Sequence, residues 1–164
     1  MGDDAKIAVL FVCMGNICRS PLAEGMFEHL ARERGVLDRF RIDSCGTGGW
    51  HTGERADRRM RATAEQRGVE LTSRARQIDP AYDFPNGNGD GFAHILVMDR
   101  QNHIEVLELG APPERVALLR SFDPTAGETA EVPDPYYGGQ RGFDDVYDMV
   151  ERACTGLLDA LLDT

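Results

Sequence analysis

The chain has 164 residues, of which 41% are hydrophobic and 28% charged, and a formal net charge of −10. That length suits one domain over residues 1–164 with a substantial core. The acidic balance argues against nucleic acid, whose phosphates need a basic face, and no apolar run approaches the ~20 residues that cross a bilayer. The start, Met1-Gly2-Asp3-Asp4-Ala5-Lys6, is acidic and reads as no secretory signal, and four cysteines are too few for a disulfide scaffold. Together these point to the cytoplasm.

Ile7 to Val12 is a continuous apolar run with β-branched residues, which predicts a buried strand. Pro21 to Arg34 follows as a helix with Leu22, Met26 and Leu30 on one face and Gly35 at its end. Arg41 to Thr47 is a second short strand, Asp57 to Gln66 a helix stopped by Gly68, and Phe92 to Met98 a third strand. Gln101 to Leu109 is a helix, and Val116 to Leu119 a fourth strand beyond Pro112-Pro113. The last helix, Phe143 to Leu162, places Phe143, Val146, Tyr147, Val150, Cys154, Leu157, Leu158 and Leu161 at helical spacing. Strands alternating with helices imply an α/β fold of three layers, a parallel sheet between two layers of helices. Asn86-Gly87-Asn88-Gly89-Asp90-Gly91 reads as a flexible surface insertion.

Between the first strand and the first helix lies Cys13-Met14-Gly15-Asn16-Ile17-Cys18-Arg19-Ser20-Pro21. Ser20 suits a helix cap and Pro21 the first helical position. Gly15 and Asn16 are the residue types that most readily take positive φ. A loop of this kind aims successive N–H groups inward and forms an anion nest at the positive end of a helix dipole. The same field favours the thiolate form of a cysteine, and Arg19 can fork two N–H groups onto two phosphate oxygens. Ser20 can donate to the Cys13 sulfur. A buried core cysteine is the competing reading of Cys13, and the surrounding strand, loop and helix start weigh against it.

Phosphate-ester cleavage needs a proton for the departing oxygen. Asp134, held between Pro133 and Pro135 and followed by Tyr136 and Tyr137, is the best acid, with Asp123 a weaker competitor. Trp50, the only tryptophan, sits in a Gly-rich turn where it could wall a pocket. The four histidines show no metal-ligand spacing, so neither metal nor cofactor is expected. No G-x-S-x-G elbow and no Gly-Lys-Ser/Thr loop is present. Cys18, five residues from Cys13, has two readings that can hold together: it packs under the loop, or it traps an oxidised Cys13 as a disulfide.

Read together, these motifs resemble the low-molecular-weight protein tyrosine phosphatases over nearly the whole chain. The resemblance rests on Val9 to Glu24, Asp43-Ser44 with Gly46-Thr47, and Trp50-His51. It continues through Ala56-Asp57, Ala75-Arg76-Gln77-Ile78, Met98-Asp99 with Asn102, and Asp134-Pro135-Tyr136-Tyr137. It implies a central four-stranded parallel sheet, a Cys13 nucleophile, an Arg19 phosphate clamp and an Asp134 general acid and base. Met14, Gly15, Asn16, Ile17, Cys18 and Ser20 would hold the phosphate, with Ser44 supporting Asn16 and Trp50 and Tyr136 at the entrance. Implied partners are tyrosine-phosphorylated proteins and a tyrosine kinase acting on Tyr136 or Tyr137. The chain departs from the family near Ser73, where a His is common, and in the segment from Asn86 to Gly91. Three alternatives share features with it. A thioredoxin-linked arsenate reductase would need two further cysteines, one on a flexible late segment. A protein-arginine phosphatase would carry Thr at Ile17 and lack the paired tyrosines. A phosphotyrosine-binding module would tolerate loss of Cys13 or Asp134.

Overall fold

In the computed structural model, which describes residues 5–86, 90–136 and 139–163, β1 (Ile7–Cys13) is the inner strand on which the rest is built. It pairs with β2 (Phe40–Gly46) on one side and β3 (His94–Val97) on the other, and β4 (Val116–Leu118) follows β3. The order is β2-β1-β3-β4 and every pairing is parallel. The period of two along β1 explains its unbroken apolar sequence. Val9 and Phe11 face one core and Leu10 and Val12 the other, all of them fully buried.

The first core lies under α1 (Arg19–Glu33), α2 (Arg58–Gln66) and α5 (Gln140–Leu162). Phe27 of α1 meets Phe11 in a tilted contact at 5.8 Å and Phe40 edge to face at 5.1 Å, which pins the helix across β1 and β2. The predicted stripe of α5 is buried as spaced, from Phe143 to Leu161. The second core takes Phe84 and Phe92, beside the short α3 (Pro80–Asp83), and Val106 of α4 (Arg100–Glu108). Helices therefore cover both faces, as the alternation of elements implies. Among the described residues no helix is long and apolar enough to cross a membrane.

Element ends differ from the sequence reading in ways that have causes. β3 is confined to His94–Val97, because pairing with β1 covers only Val9 to Val12. The first helix begins at Arg19, with Cys18 as its cap residue, so Ser20 is no cap and Pro21 is not at the first position. Ser20 is turned inward instead, and Pro21 still falls within the first turn, where no N–H is needed. Of the insertion, Gly87 to Gly89 lie outside the described residues. Its flanks are anchored: Asn86 Nδ2 donates to Gly110 O at 3.2 Å, and Arg41 Nη2 donates to Gly91 O.

Candidate active site

Cys13 ends β1 opposite Gly46 of β2, so the loop after it leaves from the carboxyl edge of the sheet, where such folds bind ligands. Gly46 is required there: a Cβ would stand 2.8 Å from Met14 O and 3.1 Å from Gly15 C. Asn16 turns the loop with φ 59, the sole positive φ outside glycine among the described residues. Gly15 does not share that conformation. Its lack of a side chain serves space, since a Cβ would meet the His51 ring at 3.1 Å.

Cys13 is 2% exposed, and its Sγ lies 2.9 Å from Ser20 Oγ and accepts from Asn16 N at 3.3 Å. Asn16 Nδ2 donates to Ser20 Oγ at 2.7 Å, leaving the serine proton free to turn toward sulfur. The same amide donates to Ser44 Oγ at 3.0 Å, and Ser44 donates to Glu24 Oε1 at 2.5 Å. Arg76 N completes the cage, donating to Asn16 Oδ1 at 3.0 Å. This is the second support of Asn16, and it comes from backbone rather than from position 73. Ser73 stands toward Glu24 instead and helps to hold its carboxyl down. Burial lifts the Glu24 carboxyl to about 7, against the pull of Ser44 and Ser73 and with the help of Asp43 and Glu28.

The backbone N–H groups of Met14, Gly15, Ile17 and Cys18 donate to no acceptor among the described residues, which is what an anion nest requires. All four residues line a cavity of about 160 Å³ together with Cys13, Arg19, His51, Asp134 and Tyr136. Arg19 is 3% exposed and is fixed from behind, with Nη1 donating to Asp99 Oδ2 at 2.6 Å and to Val132 O at 3.1 Å. Its Nε and Nη2 edge has no hydrogen-bond partner among the described residues, and Nη2 stands 3.9 Å from Asp134 Oδ2. Burial works against the guanidinium charge, but Cys13, Asp99 and Asp134 outweigh it and hold Arg19 firmly protonated.

Asp134 reaches the cavity from the loop before α5, one oxygen near Arg19 and the other accepting from Tyr136 N at 3.0 Å. That turn, more than the flanking prolines, sets the carboxylate's direction. Arg59 steadies the rim: it pairs with Asp57 at 3.1 Å, donates to Tyr136 O at 3.0 Å and lies over the Tyr136 ring at 5.3 Å. Cys18 shares the cavity but is nearly buried, and desolvation foremost, with Asp57 and Cys13 after it, pushes its thiol far up.

The expected site residues thus converge, with one exception. Trp50 is 70% exposed and stands outside the cavity, in a neighbouring groove, while His51 takes the wall position. The Gly-rich turn carries no signal of which way either ring points. Asp123 is also removed from the site, buried against Arg152 Nε at 3.2 Å and Thr125. Tyr137 lies outside the described residues. Asp99, Arg76, Arg59 and His51 also stand at or against the site, and the residue pattern alone did not single them out. Asp99 and Arg76 are legible only as members of the matching motifs. Cys45 and Cys154 are both fully buried, Cys154 against Ala23 O.

A sequence profile described as low molecular weight phosphotyrosine protein phosphatase matches residues 8–164. A low molecular weight protein-tyrosine-phosphatase of Streptomyces coelicolor is 44% identical over 160 residues, 93% of this chain and 92% of that protein. Among solved structures, a protein tyrosine phosphatase of Entamoeba histolytica superposes with a TM-score of 0.87 at 37% identity, covering 96% of this chain and 98% of that one. A drosophila arginine phosphatase superposes with a TM-score of 0.80 at 30% identity, covering 93% and 96%.

Proposed function

Because the chain belongs to the low-molecular-weight phosphotyrosine protein phosphatase family, we propose that it hydrolyses phosphotyrosine in proteins through a cysteinyl phosphate on Cys13. The observation that carries the reading is the cradle around one sulfur. Cys13 Sγ sits against Ser20 Oγ at 2.9 Å, beneath four uncommitted N–H groups and the open edge of Arg19. A phosphoryl group seated there has its oxygens on the nest and the guanidinium, and its phosphorus over the sulfur. The Cys13 thiolate forms the S–P bond as the P–O bond to tyrosine breaks, and Asp134 gives its proton to the phenolate oxygen. Asp134 then takes a proton from water, which attacks phosphorus, releases phosphate and returns the thiolate. Ser20 and Asn16 N stabilise the thiolate as it leaves.

Ile17, His51 and Tyr136 form walls suited to an aryl ring. A side chain as short as phosphoserine brings its backbone against these walls before the phosphate reaches the nest. Phosphoarginine is the second reading, favoured by the likeness to the drosophila structure. Ile17 and Tyr136 lining the cavity weigh toward the aromatic substrate. Arsenate reduction would need accessible partner thiols, and burial of Cys45 and Cys154 weighs against it. The four cysteines, all free, suit a reducing cytoplasm, where a tyrosine kinase could act on Tyr136 or Tyr137. Oxidation of Cys13 with capture by Cys18 makes the enzyme redox-sensitive.

The test is a parallel measurement of kcat/KM on phosphotyrosine, phosphoserine and phosphoarginine peptides, with Cys13→Ser as control. Phosphotyrosine should lead by orders of magnitude and Cys13→Ser should bind phosphate without turnover. Faster phosphoarginine hydrolysis, or turnover by Cys13→Ser near the wild-type rate, would overturn the reading.

A further inference from the structure

The loop from Gly46 to His51 separates two concavities. His51 lines the one that holds Cys13, while Trp50, the next residue back, lines a groove of about 350 Å³ against the end of α4. The Trp50 ring is 70% exposed yet seated, because it lies over Gly48. A Cβ on Gly48 would come within 2.0 Å of the ring. Opposite the indole stand Glu105 and Glu108, and among the described residues no basic side chain lines the groove.

Three features give this groove one sign of charge. Glu105 accepts from Gln101 Nε2 at 3.3 Å through one oxygen, and its other oxygen is shielded from water without a partner among the described residues. Glu108 is exposed and pairs with no cation among the described residues. α4 ends here with no basic residue in its last turn, so its negative pole is uncompensated. An exposed indole face beside two carboxylates attracts a cation flanked by apolar surface, which describes an arginine or lysine side chain.

We propose that this groove is a specificity site for a basic side chain of the substrate, arginine foremost, close in sequence to the phosphotyrosine. The inference rests on the phosphotyrosine reading of the Cys13 cavity. Trp50 and His51 are neighbours in sequence, so an extended peptide at ~3.3 Å per residue crosses from cavity to groove within a few residues. The arginine methylenes and guanidinium plane lie on the indole, its N–H fork meets Glu108, and Glu105 adds its charge from beneath.

The experiment uses phosphotyrosine peptides in which arginine, alanine or glutamate is placed at successive positions on either side of the phosphotyrosine. At one or two positions the arginine peptide should exceed the alanine peptide in kcat/KM by on the order of fivefold, the size of an exposed ion pair with a cation–π contact. Glu105→Gln with Glu108→Gln should bring that ratio toward one, and added salt should lower it in wild type. Glu108→Lys, at an exposed position, should shift preference toward the glutamate peptide. Trp50 is the sole tryptophan, so its fluorescence should respond more to the arginine peptide than to the alanine peptide, even in Cys13→Ser, where turnover plays no part. Equal kcat/KM and equal fluorescence response for arginine and alanine peptides would overturn the proposal, as would a preference unchanged in the Gln variants. Failure of every phosphotyrosine peptide to turn over would instead strike the phosphatase reading, and the fluorescence arm would still decide this one.

Discussion

Arg76 donates its backbone N–H to the side chain of Asn16 at 3.0 Å, across 60 residues of sequence, and so braces the one left-handed non-glycine residue of the described chain. The Arg76 guanidinium anchors the brace in turn. It forks onto Asp83 at 2.8 and 3.0 Å and reaches Asp43 Oδ2 at 3.2 Å. Asp83 is fully buried, so the geometry of the phosphate loop is tied to an ion pair beneath the opposite core.

Substitutions at Asn16 separate its two contributions. Asn16→Gly keeps the backbone at φ 59 but removes three hydrogen bonds, whereas Asn16→Ala also strains the left-handed conformation, by ~1–2 kcal/mol. With buried donors left unpaired, Asn16→Gly should itself lose on the order of 2 kcal/mol and Asn16→Ala more. Urea melts of both, with kcat on an aryl phosphate, check this. A glycine variant matching wild type in stability and kcat would show that the cage is dispensable.

Asp134→Asn should reveal the acid through the leaving group. Loss of a proton donor costs ~10²–10⁴ in rate where the leaving oxygen is basic, as in tyrosine. An activated phenol leaves without that proton and should be far less affected. Equal losses on the two substrates would reassign Asp134 to binding or support.

The local parts of this site were legible in the sequence and the tertiary parts were not. Cys13, Arg19 and Asn16 occupy one strand-loop-helix turn, where residue type and spacing constrain the backbone. Asp99 pins Arg19 from another strand's end, and nothing in its own neighbourhood signals that pairing. Trp50 was misplaced for a related reason. Gly48 leaves room for the indole to fold away from the cavity, and a Gly-rich turn leaves ring direction to packing. Ser20 and Pro21 correctly marked the helix start, but the cap position fell to Cys18 because Ser20 is drawn inward by sulfur and Asn16. The sheet and the apolar stripe of α5 were read nearly as found, since a strand-length apolar run and a period of 3.6 are written along the chain itself.

Glu24 should make stability depend on pH between mildly acid and neutral conditions. Its carboxyl is raised from 4.5 to about 7 in the folded chain, chiefly by burial. Below the unfolded value both states hold the proton and this contribution is fully present. As pH rises toward the folded value the unfolded chain releases the proton first, so stability falls, and the loss is complete above about 7. The size is on the order of 3 kcal/mol. Glu24→Gln, which imitates the protonated form and can still accept from Ser44, should flatten that slope. Melting curves of both proteins from acid to mildly basic pH decide it. Parallel slopes would mean that Glu24 titrates alike in the folded and unfolded chain.

Oxidation offers the sharpest contrast between the two cysteines of the cavity. Cys13 Sγ meets Ser20 Oγ and accepts from Asn16 N at the floor of the cavity, whereas burial holds Cys18 as a thiol. Peroxide should therefore attack Cys13 first and form a sulfenic acid, with water as the other product. Cys18 lines the same cavity, and its thiol can then displace the sulfenic oxygen as water, leaving a disulfide that dithiothreitol reopens. Wild type should lose activity on peroxide treatment and regain most of it with dithiothreitol. Cys18→Ser has no partner to shield the sulfenic acid, so continued exposure should carry Cys13 to sulfinic acid and leave recovery much less complete. Mass spectrometry of the oxidised wild type should find a Cys13–Cys18 bridge. Equal recovery in the two proteins would leave Cys18 with a packing role beneath the loop.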